Sequence, residues 1–196
     1  MIIVEPVTLD GQRVRLEPME SGHLDALVAA GGFEELWTLI RSRAVTRDEM
    51  QVYMEDALAT QRDGSALPFV TVDKASGSVI GSTRFGNIDV ANRRVEIGWT
   101  WITPAFQRTH VNSEAKYLML RHAFEVWGCV RVELKTDALN ERSQAAMLRI
   151  GATKEGVLRK HMIVQKGRFR DSVYFSILDT EWPAVSLRLQ SSATRR

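Results

Sequence analysis

The 196 residues are 44% hydrophobic, enough to fill a sizeable core. Lys and Arg total 26 against 24 Asp and Glu, a net charge of +2 that excludes a dedicated nucleic-acid binder and leaves room for a local anionic ligand. One cysteine, Cys129, excludes an intrachain disulfide and a cysteine zinc cluster, and His23, His110, His122 and His161 lack metal-ligand spacing, so no metal is expected. The start "MIIVEPVTLDG" has an early acid and a proline and does not read as a signal peptide. No stretch approaches the ~20 apolar residues of a membrane span, so the expected location is cytoplasmic, with no membrane partner.

No internal repeat and no linker interrupts the chain. "RVRLEPM" (Arg13–Met19) alternates as a strand; Ser21 is the expected cap of "GHLDALVAAG", a short helix stopped by Gly31 and Gly32. Thr46, with Glu49 at capping-box spacing, opens a helix to Gly64. "LPFVTVDKASGSVIGSTRFGNID" predicts two strands around a turn at Ala75–Gly77, and "RRVEIGWTWI" a third after a turn at Ala91–Asn92. A helix is predicted from about Ser113 to Trp127, stopped by Gly128, then a strand over Cys129–Asp137 and a helix over "NERSQAAMLRIG". "GVLRKHMIV" and "DSVYFSILD" read as two final strands joined by "QKGRFR". One domain is expected over 1–185, with a flexible tail over 186–196. The order predicts an α/β chain with a mixed sheet, in which the strand–helix–strand unit from Glu96 to Asp137 makes a parallel pair.

"PAFQRTHVNSEAKYLML" joins that strand to that helix. A helix start carries unpaired N–H groups and partial positive charge, so at the end of a strand it suits an anion. Residues Gln107–Asn112 would present consecutive amides (Gln107, Arg108, Thr109, His110, Val111, Asn112) to a phosphate or pyrophosphate, with Arg108 and Lys116 as nearby cations and Asn112 as the helix cap. Spacing alone does not separate this from an ordinary strand-to-helix connection: the stretch is not a P-loop and lacks G-x-G-x-x-G.

The segment resembles the acyl-CoA pyrophosphate loop of the GNAT superfamily of N-acetyltransferases, Gln/Arg-x-x-Gly-x-Gly/Ala. Gln107 matches its first position, with His110 and Asn112 where small residues are usual. A second GNAT pattern, Asn-x-x-(small)-x-x-x-Tyr-x-x-x-Gly-Phe, is met by Asn140, Ser143 and Gly151, with Met147 and Ala152 replacing the Tyr and Phe. From about Arg13 to Ile177 the chain looks like the RimJ/RimL branch of ribosomal-protein N-terminal acetyltransferases. The resemblance implies a central, mostly antiparallel sheet with one splayed parallel pair and flanking helices. It implies acetyl-CoA as co-substrate, its pantetheine arm lying against Trp101, Ile102 and Thr103 and passing Asn140, Ser143 and Met147.

The acceptor is expected to be a primary amine: a peptide or protein N-terminus, an amino acid or a small amine. Glu96 is the first candidate for the base; the alternative for this carboxylate is a structural pair with Arg84, Arg93 or Arg94. His161 is the second candidate. The branch has a Glu near that strand at about the position of Met162 here. Ser143 could donate to the leaving sulfur in place of the missing Tyr, or simply let the arm pass. Phe33, Glu35 (or Glu34) and Trp37 fall where the superfamily builds one wall of the acceptor site. Trp99 and Trp101 are read as core, and Cys129 as an inert buried thiol. A second copy of the chain is left open as a partner. The rival function is an acyl-CoA-binding sensor or scaffold without catalysis.

Overall fold

In the strand Leu67–Asp73 every residue is buried, so both of its faces must be covered. Leu67 and Phe69 join one apolar cluster, Val70 and Val72 another, as period-two alternation requires. This strand is β3 of an eight-stranded sheet ordered β1-β2-β3-β4-β5-β6-β8-β7 in a computed structural model that describes residues 2–193. The strands are β1 (Leu9–Asp10), β2 (Val14–Pro18), β3, β4 (Val79–Asp89), β5 (Arg94–Ile102), β6 (Arg131–Asp137), β7 (Thr153–Ile163) and β8 (Phe169–Leu178). Every neighbouring pair is antiparallel except β5–β6, which is parallel as the crossover predicts.

The helices are α1 (Leu24–Gly31), α2 (Glu34–Trp37), α3 (Arg47–Arg62), α4 (Val111–Arg121), α5 (Glu141–Ile150) and α6 (Trp182–Ala193). One face of the sheet packs on α4 and α6 through residues such as Val111, Leu118, Val185 and Leu189. The other packs on α1 and α3 through Leu27, Met50 and Met54. The Thr46–Glu49 capping box of α3 is present.

Several expectations need correction. Ser21 does not cap α1: a 3-10 turn, Ser21–His23, precedes it, and His23 Nδ1 accepts from the Glu20 N–H. Asn112 lies inside the first turn of α4, whose N-cap residue is His110. The helix predicted as far as Trp127 is α only to Arg121, then a π turn over His122–Val126. Cys129 precedes β6 rather than starting it; it is buried, and burial pushes its thiol up to about 11. The expected tail from residue 186 is helical as far as Ala193, with Leu189 in the core; residues 194–196 lie outside the described residues.

One irregularity positions the site. Ser82 pairs with Trp101 and Arg84 with Gly98, so Trp99 and Thr100 together face Thr83 alone. Trp99 takes up a left-handed φ of 50° to make this bulge. Val95 and Ile97, before the bulge, and Ile102, after it, sit in the α4-side cluster, while Trp101 sits in the α3-side cluster.

Candidate active site

Strands β5 and β6 pair only at Arg94–Arg131, Val95–Val132 and Glu96–Glu133. Both continue, to Ile102 and Asp137, but no longer pair with each other. The backbone groups freed by this divergence face a cavity of about 1740 Å³, lined by β5 from Glu96 to Ile102, Leu134–Thr136 of β6, the start of α4 and most of α5. Its walls therefore offer both backbone amides and carbonyls, which an amide-rich ligand could pair with.

At one end lies the loop before α4. Gln107 Nε2 donates to Ile102 O at 2.8 Å, and Arg142 of α5 donates to Gln107 Oε1, so this side chain ties strand, loop and the second helix together. Thr109 Oγ1 donates to Phe106 O at 2.7 Å. The residue in the left-handed region is Arg108, φ 62°, and not His110, whose φ of −64° suits any side chain. His110 thus replaces a glycine without backbone strain, and its buried Nε2 has no hydrogen-bond partner. Arg108, Thr109, His110, Asn112 and Ser113 line the cavity. The Glu114 N–H, bonded to His110 O, makes the first helical bond of α4, so the Asn112 and Ser113 amides precede any helical partner.

Midway, α5 presents Asn140, Ser143 and Met147 to the cavity. Asn140 Oδ1 accepts from the Ser143 N–H at 3.0 Å, capping α5, while its Nδ2 remains available to the cavity. Lys116 lines the cavity, but its ammonium is not turned toward the loop as expected. It turns into the sheet, where its buried Nζ donates to Thr100 Oγ1 at 2.7 Å and lies 3.4 Å from Thr83 Oγ1. With no carboxylate to offset desolvation, its pKa is pushed down to about 7.

At the other end is Glu96, 4% exposed. Its Oε2 accepts from Asn87 Nδ2 at 2.6 Å and from Lys135 Nζ at 2.8 Å. The expected arginine partners are otherwise placed. Arg93 donates to Gly128 O, Arg94 meets Asp89 and Glu133, and Arg84 lies between the Tyr53 and Trp99 rings. Glu96 Oε1 lies against Gly98, where an added Cβ would come within 3.0 Å of it.

Of the residues expected to hold ligands, Trp101, Ile102, Gln107 and Glu35 line the cavity. Thr103 and Val111 do not: the Thr103 N–H donates to Ile80 O, and Val111 is core. Trp37 is not an acceptor wall; it is buried against Tyr53 and Trp101, its indole N–H donating to Gly31 O at 2.8 Å. Phe33 is exposed outside the cavity, and Glu34 pairs with Arg43. His161 Nδ1 meets Ser172 Oγ at 3.0 Å, and its pKa is lowered by burial and by Lys135 and Arg170. Trp99, read as core, lines the cavity instead. Asn87, Lys135 and Arg170 were not singled out by the sequence. The signal for Lys135 was the alternation of "RVELKTD", which puts Arg131, Glu133 and Lys135 on one face of β6 and Val132 and Leu134 on the other.

This splayed sheet, with a helix start at one end and a buried carboxylate at the other, is the architecture of an acyl-transfer enzyme. The chain belongs to the GNAT acetyltransferase family: residues 13–153 match the model described as "Acetyltransferase (GNAT) domain". It is 36% identical over 106 residues to the Bacillus subtilis (strain 168) protein named "Putative ribosomal N-acetyltransferase YdaF", a match covering 54% of this chain and 57% of that protein. It is 29% identical over 184 residues to "Uncharacterized N-acetyltransferase p20" of Bacillus licheniformis, covering 89% and 98% of the two chains. The crystal structure of a GCN5-related N-acetyltransferase from Brucella melitensis superposes with a TM-score of 0.89 at 36% identity, covering 95% of this chain and 85% of that one. Mycobacterium smegmatis RimJ in complex with CoA-disulfide shares the fold at a TM-score of 0.82 and 22% identity, covering 97% of this chain and 96% of that one.

Proposed function

We propose that the protein moves an acetyl group from acetyl-CoA to a primary amine by direct attack of the amine on the thioester. The divergence of β5 and β6 beyond Glu96 and Glu133 carries this reading, because it opens one continuous cavity from the first turn of α4 to a buried carboxylate. Family membership supports acetyl transfer in general, and the name of YdaF supports a protein or peptide N-terminus as acceptor.

The residues at the loop fit a pyrophosphate. The amides of Asn112 and Ser113 and the cation of Arg108 would hold it, at the end of the cavity that His110 also lines. The unpaired edges of β5 and β6 would take the amides of the pantetheine arm, with Asn140 Nδ2 as a further donor. A backbone N–H of the splayed part of β5 would hold the oxyanion. Glu96 is the proton acceptor in this reading: Lys135 and Asn87 fix Oε2, which leaves Oε1 for the ammonium proton of the acceptor. Ser143 Oγ would donate to the departing sulfur. Its release needs little help, since a thiol with a reference pKa near ~8.5 is a fair leaving group.

The test incubates the purified protein with acetyl-CoA and a panel of amines, including peptides matching ribosomal-protein N-termini. Free thiol release and the mass gain of one acetyl group on an acceptor are the expected results. Tight CoA binding with no acetylated acceptor would return the protein to the sensor reading.

A further inference from the structure

Two arginines of the sheet are buried with nitrogens that have no hydrogen-bond partner, and only one of them opens on the cavity. Arg84 is compensated by other means. Its guanidinium lies 5.3 Å from the Tyr53 ring centroid and 5.0 Å from that of Trp99, with Asp56 3.6 Å from Nη1. Arg170, on β8, has nothing comparable. It is 7% exposed, its buried Nε has no partner, and among the described residues no ion pair or ring reaches its guanidinium. Burial has pushed its pKa below the ordinary arginine value, with Asp137 and Glu96 opposing that shift from a distance.

Those carboxylates are already engaged. Asp137 pairs with Arg168 and accepts the Leu139 N–H, and Glu96 is held by Lys135 and Asn87. His161 gives no negative charge and is pushed toward its neutral form. Glu96 with Lys135, and Asp137 with Arg168, cancel as pairs. The Arg170 charge is left over in this end of the cavity, in the wall that also holds Glu96. A buried guanidinium without a partner is costly, and a carboxylate offers it the best geometric and electrostatic match.

We propose that the acceptor carries a carboxylate a few bonds from its primary amine, and that Arg170 receives this carboxylate while Glu96 faces the amine. The proposal rests on the reading of the cavity as the acetyl-transfer site. It makes Arg170 a specificity-determining residue. The carboxylate has two sources: the main-chain carboxylate of a free amino acid, or the side chain of an acidic first residue on a peptide.

Matched acceptors separate these sources. L-Leucine is compared with L-leucinamide, and C-terminally amidated peptides beginning with Glu are compared with those beginning with Gln. Rates are corrected for the fraction of neutral amine. The carboxylate member of at least one pair should be favoured in kcat/KM by about 10–100-fold. Arg170→Gln should bring that ratio close to one, and Arg170→Lys should retain part of it. Arg170→Gln removes a group with no partner, so its Tm should not fall, which separates a lost contact from a lost fold. Turnover of amines with no preference in either pair, or a preference that survives in Arg170→Gln, overturns the proposal and leaves acetyl transfer standing. If no amine is acetylated, the transfer reading fails. Calorimetric titration of N-acetyl-L-leucine against N-acetyl-L-leucinamide, and of the acetylated Glu and Gln peptides, then decides the Arg170 site alone: binding favoured by a carboxylate and dependent on Arg170 supports it, and its absence sinks it.

Discussion

The Lys135 ammonium lies 2.8 Å from the Glu96 carboxylate across the β5–β6 pair, at the last position where the two strands are joined. The ion pair therefore stands at the fork of the splay, and it serves both the sheet and the proposed chemistry. The two roles separate experimentally. Glu96→Gln should lower kcat by about 10²–10⁴, with the loss shrinking as pH rises and more amine is already neutral. It should also cost about 1–3 kcal/mol in stability, because Lys135 loses its partner. Glu96→Gln combined with Lys135→Met should regain stability without regaining activity. Thermal melts beside a pH–rate profile read both; superimposable wild-type and Glu96→Gln profiles would move the base elsewhere.

Lys116 makes stability depend on pH in a predictable direction. Its pKa falls from 10.5 in the unfolded chain to about 7 in the fold. Between those values the unfolded chain binds the extra proton, so this group makes the fold more stable as pH rises from about 7 toward 10.5. Below about pH 7 both states are protonated and the full penalty of a buried ammonium applies. Urea midpoints at pH 7, 8 and 9 should show wild type gaining on Lys116→Met by on the order of 1 kcal/mol per pH unit. A constant difference would mean that the lysine is charged throughout.

Asn140 caps α5 with one atom and offers another to the cavity. Asn140→Ala should lose about 1 kcal/mol of stability and raise the acetyl-CoA KM by up to about tenfold. Asn140→Asp keeps the capping oxygen and loses the donor, so Tm should hold while KM rises. Equal KM values for wild type and Asn140→Asp would make the residue a cap alone.

The loop makes a prediction with two opposed signs. Arg108 sits at φ 62°, where glycine is at ease. Arg108→Gly should gain up to about 1 kcal/mol of stability and lose CoA affinity. Free pantetheine, lacking the pyrophosphate, should bind far more weakly than CoA and should not distinguish this variant from wild type. Pantetheine binding as tightly as CoA would refute an anion site at α4. Calorimetric titration of both ligands into both proteins settles the signs.

The apolar runs of "LPFVTVD" and "RVEIGWTWI" beside their turns and the alternation of "RVELKTD" made the strands legible, and the strand–helix–strand crossover made the parallel pair legible. What escaped depends on partners distant in sequence. β1 is two residues long and exists only because β2 lies beside it. The α6 stripe Trp182–Val185–Leu189 has helical spacing, but its polar C-terminal end hid it. Trp37 stood in the segment expected to form an acceptor wall, yet its ring packs inward against Trp101 and Tyr53, partners distant in sequence. The loop and the Asn140 region were found through family resemblance more than through spacing. The polar floor of Asn87, Lys135 and Arg170 comes from β4, β6 and β8, and no local pattern announces that these three meet in one cavity.

The Trp99–Thr100 bulge gives β5 two parities within one strand. Upstream of it odd-numbered residues such as Val95 and Ile97 face α4; downstream the even-numbered Ile102 does, and Trp101 faces α3. Deleting one residue here, without changing the chemistry of any other, would restore a single parity. It would carry Trp101 out of its pocket beside Trp37, or Glu96 away from Lys135, depending on which end of the strand held its register. A length change at this spot should therefore be far more damaging than any substitution within it, and relatives of the chain should vary in sequence here while keeping the same residue count between Glu96 and Gln107.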